Sequence, residues 1–274
     1  RSSDLQKREW GKMSNKKLII NADDFGYTPA VTQGIIEAHK RGVVTSTTAL
    51  PTSPYFLEAM ESARISAPTL AIGVHLTLTL NQAKPILPRE MVPSLVDEAG
   101  YFWHQSIFEE KVNLEEVYNE WDAQIISFMK SGRCPDHIDS HHNVHGKNEK
   151  LLGVALALAR KYQLPLRNAS RSIETKDYLE LYQDVRTPDE MLYQFYDKAI
   201  STETILQLLD MVVCSEGEVF EINCHPAFID TILQKQSGYC MPRIREVEIL
   251  TSQEVKEAIE ERGILLANYE SLAM

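Results

Sequence analysis

The stretch KLIINADDFG, residues 17–26, decides the fold because it places two adjacent carboxylates directly after a short apolar run. Residues 17–20 are typical of a buried strand, and Gly26 is typical of a turn just beyond it. Neighbouring carboxylates repel each other, so a fold keeps Asp23 and Asp24 together only where a metal or another cation accepts their charge. We therefore predict that chemistry takes place at the end of this strand.

Three further apolar runs also end in polar side chains. Residues 70–74 lead to His75, a run that ends at Ile138 leads to the stretch DSHHNVH at 139–145, and residues 218–224 lead to His225. In a barrel of alternating strands and helices, catalytic groups collect where the strands end at the carboxyl face. Four polar strand ends therefore predict one shared site.

The rest of the chain alternates strand and helix patterns and predicts an α/β fold, an incomplete or distorted (β/α) barrel of about seven strands. The predicted strands cover residues 17–20, 43–50, 70–74, a run ending at Ile138, 164–168, 219–224 and 264–268. The predicted helices cover residues 31–41, 55–64, 114–130, 149–163 and 253–261, with helical patterns between 188 and 213. Three insertions interrupt the alternation, at residues 80–110, 170–188 and 228–245. The first carries the aromatic triplet at 101–103 and is predicted to cover the site.

Composition limits the classes of function. The net charge of −11, from 28 basic and 39 acidic residues, gives no basic surface for nucleic acid or an anionic membrane. No apolar run approaches the roughly 18 residues of a membrane span. The four cysteines show no CxxC spacing, which favours reduced thiols in a cytoplasmic protein. We expect one domain over residues 13–274, with residues 1–12 as an extension before a natural start at MSNK.

The polar strand ends also suggest a metal. One carboxylate with two imidazoles forms a mixed oxygen and nitrogen set that accepts several divalent ions. Alternate side chains of a strand share a face, so His137, Asp139 and His141 can point together while His142 turns away. His141 is therefore the better ligand, and Asp139 is predicted to contact the ligands. Between Asp23 and Asp24, the residues alone leave the choice of ligand open.

Five motifs together resemble those of the YdjC-like carbohydrate deacetylases, the family of chitooligosaccharide deacetylase. They are NADDFG at 21–26, GVVTSTT at 42–48, GVHL at 73–76, DHIDSHHNVH at 136–145 and CHP at 224–226. The resemblance covers about residues 16–274 and keeps the order of the motifs. It implies a sugar-deacetylase type of (β/α) barrel, a divalent metal, and removal of acetyl groups from N-acetylated amino sugars. The chain departs from the family at Asn143, where members often have histidine.

The resemblance assigns the metal to Asp24, His75 and His141, and leaves Asp23 as the general base. Mg²⁺ or Zn²⁺ is the expected ion, with Mn²⁺, Co²⁺ and Ni²⁺ as alternatives. His225, on another strand, is the candidate general acid, since a leaving nitrogen must be protonated. Three more residues are predicted to contact the substrate or the metal ligands: Asp139, His145 and Arg167. The expected partner is an acetylated amino sugar, and a homodimer is compatible with the sequence.

Two other classes of protein stay open. A metal-independent glycosidase would pair Asp23 with Asp139 or Glu221 at roughly 5–10 Å. Such an enzyme does not need several imidazoles at its strand ends, so the histidines argue against it. A non-catalytic sugar-binding protein is the second alternative, because a fold does not fix a function.

Overall fold

The computed structural model describes residues 15–169 and 178–272 of the chain. Within these residues, seven parallel strands alternate with nine α-helices. The strands are β1 Lys17–Phe25, β2 Ser46–Ala49, β3 Ala71–Leu76, β4 Ile138–Ser140, β5 Glu190–Leu192, β6 Val219–Cys224 and β7 Leu265–Ala267. The helices are α1 Pro29–Arg41, α2 Phe56–Ser66, α3 Phe108–Lys111, α4 Leu114–Met129, α5 Glu149–Tyr162, α6 Thr202–Cys214, α7 Thr231–Gln236, α8 Met241–Leu250 and α9 Gln253–Glu261.

Strand β1 lies at the centre of the sheet, whose order is β4-β3-β2-β1-β6-β5 with β7 also paired to β1. Strand β6 runs beside β1 from Lys17 to Ala22, β7 pairs with its first three residues, and β2 pairs with it from Asn21 onward. Because all of these pairings are parallel, the carboxyl ends of the strands meet at one edge.

The segment at residues 165–167 lies between β4 and the residues that precede β5. The Ile138 N–H donates to the Pro165 carbonyl at 2.9 Å, and the Arg167 N–H donates to the Ile138 carbonyl at 2.9 Å. On the other side, the Leu166 N–H donates to the Arg186 carbonyl at 2.9 Å, just before β5. The sheet therefore curls into a distorted barrel, which confirms the predicted fold class.

Two predicted elements were wrong. The strand predicted at 164–168 is reduced to a single bridge between Leu166 and Ile138, while β5 at Glu190–Leu192 lies where helical patterns were expected. Three residues are too short to show the period of two that identifies a strand. The predicted insertion at 228–245 holds α7 and the first half of α8. Residues 170–177 of the predicted insertion at 170–188 lie outside the described residues.

Capping residues in the sequence explain where the helices begin and end. Helix α1 begins with a Thr28 side chain that accepts from the Val31 N–H, has Pro29 at its first position, and ends in three basic residues. Helix α5 begins at the Asn148 cap and ends at Gln163 in a left-handed conformation. No helix in residues 15–169 or 178–272 is both long and apolar enough to cross a bilayer.

Candidate metal centre and catalytic site

A bulge in β1 brings two adjacent carboxylates to one site. The register between β1 and β2 shifts between Ala22 and Phe25, and Asp24 has a φ of 74°. Neighbouring residues of a regular strand point to opposite faces, and a bulge re-aims a side chain. Left-handed backbone is uncommon for residues other than glycine, and such strain is concentrated at functional sites. The bulge explains how Asp23 and Asp24 both line the same cavity.

The Asp24 carboxylate faces two histidines. Its Oδ1 lies 3.5 Å from His75 Nε2 and 2.9 Å from His141 Nδ1. Burial would raise the pKa of the Asp24 carboxyl, but Arg243 and His141 outweigh burial and hold that pKa well below its usual value. One ligand atom from each of the three residues lies within 4.8 Å of the others, and all three residues are buried. An ionised carboxylate with two imidazoles at this spacing fits a divalent metal.

Asp139 orients His75. The His75 Nδ1–H donates to Asp139 Oδ1 at 2.6 Å, and the Thr48 hydroxyl donates to Asp139 Oδ2 at 2.9 Å. This contact leaves His75 Nε2 facing Asp24. Burial would lower the pKa of His75, but the Asp139 carboxylate outweighs burial and raises it to about 10 in the metal-free protein. A carboxylate behind a histidine is the usual arrangement around protein-bound metals.

Arg167 holds Asp23 from below the cavity. Its guanidinium forms two contacts with the carboxylate, of 2.6 Å to Oδ1 and 2.9 Å to Oδ2. It also lies 2.8 Å from Asp139 Oδ2 and donates through Nε to Glu221 Oε1 at 2.8 Å. Burial would raise the pKa of Asp23, but Arg167 outweighs it and lowers the pKa. Asp23, His75 and Asp139 form a second group that could hold a metal. The carboxylates of this group are already neutralised by the buried Arg167 cation.

His225 ends β6 on the other side of Asp23. Its Nε2 lies 3.8 Å from Asp23 Oδ2, and its backbone N–H donates to the Glu246 carboxylate. Its Nδ1 is buried and has no hydrogen-bond partner among the described residues. Burial lowers the pKa of His225 to about 4, so the ring is neutral near pH 7 in the metal-free protein. Tyr196 and Tyr239, stacked at 4.5 Å, both meet its ring edge to face.

The site opens into a cavity of about 410 Å³. Five of the eight residues predicted for the site lie in its wall: Asp23, Asp24, His75, His141 and His225. The other three, Asp139, His145 and Arg167, are fully buried beneath it. The ring nitrogens of His145 contact the Ser140 hydroxyl at 2.6 Å and the Arg167 carbonyl at 3.1 Å. Of these three residues, Asp139 contacts a predicted ligand, His75, and Arg167 contacts Asp23, whereas His145 contacts no predicted ligand.

His142 and Asn143 both lie in the cavity wall. Both adopt left-handed backbone, with φ of 56° and 51°, and asparagine enters that region more readily than most residues. The Asn143 Oδ1 accepts from Arg167 at 3.2 Å. His142 lines the cavity, where one ring nitrogen contacts the Thr79 hydroxyl at 2.8 Å.

The insertion at 80–110, which was predicted to cover the site, contributes four residues to the cavity wall. Leu80, Asn81, His104 and Gln105 lie in the cavity wall. Trp103 does not line the cavity, because its indole N–H donates to the Ser94 carbonyl at 2.8 Å. The segment therefore contributes its two ends, rather than its tryptophan, to the site.

Sequence reasoning missed Arg243, which lies on α8 and donates to Asp24 Oδ2 at 2.7 Å. With Oδ2 held in this way, Oδ1 is the oxygen that faces the two histidines. A signal was present, because α8 buries Arg243, Glu246, Val247 and Leu250. These positions form the i, i+3, i+4, i+7 stripe of a helix. Charges on a core-facing stripe indicate buried partners.

Replacing Arg243 by alanine is expected to weaken metal binding about 10- to 100-fold, since the contacts that orient metal ligands are worth about that much. Titration calorimetry of the metal-stripped protein with Zn²⁺ would measure the effect. Arg245→Ala is the matched control, because Arg245 lies on the same helix and donates to the Ile200 carbonyl. Equal affinities for the two variants would show that Arg243 does not act on Asp24.

The fold and the site together define a class of protein: a distorted (β/α) barrel with carboxylates and imidazoles at the carboxyl ends of its strands. The family model described as YdjC-like protein matches residues 17–261. The chain therefore belongs to the YdjC-like family, and the resemblance inferred from the five motifs is confirmed.

Individual relatives agree with this assignment. A carbohydrate deacetylase of Enterococcus faecalis is 99% identical over 262 residues, covering 96% of this chain and 100% of that protein. A chitooligosaccharide deacetylase of Proteus mirabilis is 38% identical over 258 residues, covering 93% and 98%. A crystal structure from Enterococcus faecalis matches with a TM-score of 0.94 at 99% identity, covering 95% of this chain and 100% of that one. An uncharacterised Agrobacterium tumefaciens protein shares the fold at 11% identity with a TM-score of 0.57, covering 97% and 94%.

Proposed function

We propose that this protein is a metal-dependent hydrolase that removes acetyl groups from N-acetylated amino sugars or oligosaccharides such as chitooligosaccharides. The observation that carries the proposal is one cavity in which Asp24, His75 and His141 surround a common point while Asp23 and His225 lie beside it. The deacetylase relatives, which match almost the full chain, support the substrate class.

Asp24, His75 and His141 would hold the ion. A divalent metal there lowers the pKa of water and polarises the acetyl carbonyl. Two imidazoles with one carboxylate favour zinc, cobalt or nickel over magnesium and manganese, which prefer sets made of oxygen alone. Arg243 would keep Asp24 bound through a single oxygen, and Asp139 would keep His75 turned toward the ion.

Asp23 and His225 would move the protons. Asp23 is ionised and held by Arg167, so it can accept a proton from the attacking water. His225 Nε2 lies 3.8 Å from Asp23 Oδ2, so a rotation of its ring would bring the two atoms to hydrogen-bond distance. His225 would then take up this proton and deliver it to the sugar nitrogen as the carbon–nitrogen bond breaks. The buried and unpartnered Nδ1 of His225 leaves the ring free to turn toward substrate.

The structure gives the alternatives less support. A glycosidase would need a second carboxylate across the cavity from Asp23, but Asp139 and Glu221 are fully buried and bound to Arg167. A purely sugar-binding protein would have no use for Asp23 and His225 beside a cluster of metal ligands.

Acetate release tests the proposal. The metal-stripped protein is incubated with a panel of N-acetylated oligosaccharides, with each divalent ion added back separately. We expect acetate only in the presence of metal, with Zn²⁺, Co²⁺ or Ni²⁺ most effective. Sugar binding that persists after chelation, without acetate release under any ion, would show a binding protein.

Asp23→Asn and His225→Ala are each expected to lose roughly a hundredfold or more of turnover while keeping the metal, because neither residue is a ligand in the proposal. The two variants should differ in how strongly their loss of turnover depends on the substrate. His225→Ala should suffer less on an activated aryl acetate, whose leaving group needs no proton, whereas Asp23→Asn should suffer on amide and ester alike. Equal losses on both substrates together with loss of metal would make His225 a ligand instead.

A further inference from the structure

Glu246 is a buried acid that the proposed mechanism does not use. It lies on α8, one turn after Arg243, and has no exposed surface. Burial outweighs its hydrogen bonds and the charge of Arg243, and raises the pKa of Glu246 to about 7. A buried carboxyl group is costly for stability, and such groups are concentrated at functional sites. Glu246 is therefore a candidate for a role in the site.

One oxygen of Glu246 fixes the backbone of His225. Its Oε2 accepts from the His225 N–H at the end of β6. The His225 ring has no equivalent contact at Nδ1, which is buried and without a hydrogen-bond partner among residues 15–169 and 178–272. A histidine side chain has two torsion angles, so the position of its backbone limits where the ring nitrogens can lie. Glu246 therefore fixes the pivot about which the imidazole turns.

The other oxygen of Glu246 fixes the aromatic wall beside the same imidazole. Its Oε1 accepts from the Tyr239 hydroxyl at 2.7 Å, and this hydroxyl accepts from the Asp197 N–H at 3.1 Å. The Tyr239 ring stacks on Tyr196 at 4.5 Å. Both rings meet the His225 ring edge to face, a favourable geometry that limits how the imidazole can turn. Contacts to the backbone and to the ring of His225 thus meet at one carboxyl group.

We propose that Glu246 is a positioning residue, which holds His225 where it can protonate the leaving nitrogen of the substrate. The inference rests on the proposed function, since that function gives His225 its role. Glu246 does not line the cavity, so it acts through His225 and not on the substrate. Its loss should therefore impair the step that needs a proton donor and leave metal binding intact.

Turnover on an N-acetylated amino sugar and on an activated aryl acetate tests the inference. Glu246→Ala is expected to lose about tenfold to a hundredfold of turnover on the amide, because a displacement of about 1 Å can cost that much. Its loss on the aryl acetate should stay below about threefold, since that leaving group needs no proton. Its metal content should equal that of wild type. Glu246→Leu removes the same contacts without leaving a cavity, so it serves where the alanine variant does not fold.

A conservative variant and a matched control separate positioning from a general effect on the fold. Glu246→Gln should keep turnover within about threefold of wild type, since its amide oxygen can accept from the His225 N–H and its nitrogen can donate to the Tyr239 oxygen. Glu120→Ala is the control, because Glu120 is also a fully buried acid on a helix, accepts from two backbone N–H groups at 2.8 and 3.0 Å, and does not line the cavity. Any loss that it causes should be equal on the two substrates.

The double variant shows whether Glu246 acts through His225. Added to His225→Ala, the change Glu246→Ala should cause less than about twofold further loss on the amide, because no acid is left to position. A residue that only stabilises the fold would multiply the two losses. Multiplied losses, or equal losses of Glu246→Ala on amide and ester, would overturn the positioning role.

Crystal structures of wild type and Glu246→Ala separate this inference from the proposed activity. We expect the His225 ring to move by about 1 Å or more, while His75 and His141 keep their positions. A moved ring, without acetate release by wild type under any metal, would overturn the activity and leave the positioning of His225 standing. Acetate release that the variant retains, with an unmoved ring, would overturn the positioning and leave the activity standing. An unmoved ring without acetate release would overturn both.

Discussion

Alanine at His75 or His141 is expected to remove the bound divalent metal and at least about a thousandfold of deacetylase activity, equivalent to about 4 kcal/mol of transition-state stabilisation. In the proposed site each histidine would contribute one of three protein ligands, so its loss would leave a carboxylate and one imidazole, a set that binds divalent ions weakly. The remaining activity should not recover at moderate excess of metal.

Metal content after dialysis, measured by elemental analysis, checks this result independently of activity. His104→Ala is the control, because His104 lines the same cavity but its Nδ1 contacts the Ser106 hydroxyl at 2.8 Å and it belongs to neither ligand group. This variant should keep its metal. Stoichiometric metal in both His75→Ala and His141→Ala would show that the ion binds elsewhere.

The sequence was sufficient to predict which strand ends form the site. Residues 70–74 and 218–224 are apolar runs that enter a parallel sheet, so their final polar residues must emerge at one edge. His75 and His225 follow from this rule alone, without knowledge of their partners.

Contacts in the folded protein distinguish Asp23 from Asp24, which the sequence alone could not do. Asp23 and Asp24 are adjacent and chemically identical, and they differ only because Arg167 binds one while Arg243 and two histidines bind the other. The two arginines lie 144 and 219 residues away in sequence. No local pattern reports such contacts, nor the bulge that makes them geometrically compatible.

The sequence also failed to predict two short elements of secondary structure, β5 and α8. Strand β5 covers three residues and is recognised by its pairing with β6 rather than by its own pattern. Helix α8 carries charges where its apolar stripe should be, which hid a helix that supplies Arg243 to the site. In both elements, tertiary contacts override the periodicity on which the prediction depended.

Arg167→Ala is expected to lower the free energy of unfolding by about 3–5 kcal/mol, the cost of leaving buried charges without their partner. Arg167 has no exposed surface and contacts three carboxylates, those of Asp23, Asp139 and Glu221. Arg64→Ala is the matched control, because Arg64 pairs at 2.5 Å with Glu61 and the two side chains are 71% and 54% exposed. Exposed pairs are worth about 0–1 kcal/mol.

The deficit of Arg167→Ala should depend on pH in a defined direction. In the wild type, burial opposes the ionised forms of Asp23 and Asp139, but Arg167 outweighs burial and lowers both pKa values. A lowered pKa in the folded state contributes stability above the pKa of the unfolded chain, and this contribution is lost as the pH falls through the folded value. Without Arg167, burial dominates and both pKa values rise, so the variant loses stability as the pH increases above about 4.

The difference in unfolding free energy between wild type and Arg167→Ala should therefore be largest near pH 7 and smaller near pH 4. Urea unfolding followed by circular dichroism, with a chelator present so that the site holds no metal, measures it at both values. A deficit of the same size at the two values would indicate lost packing instead of unpaired carboxylates. A deficit below about 1 kcal/mol at pH 7, no larger than that of an exposed pair, would mean that solvent reaches the carboxylates once the guanidinium is gone.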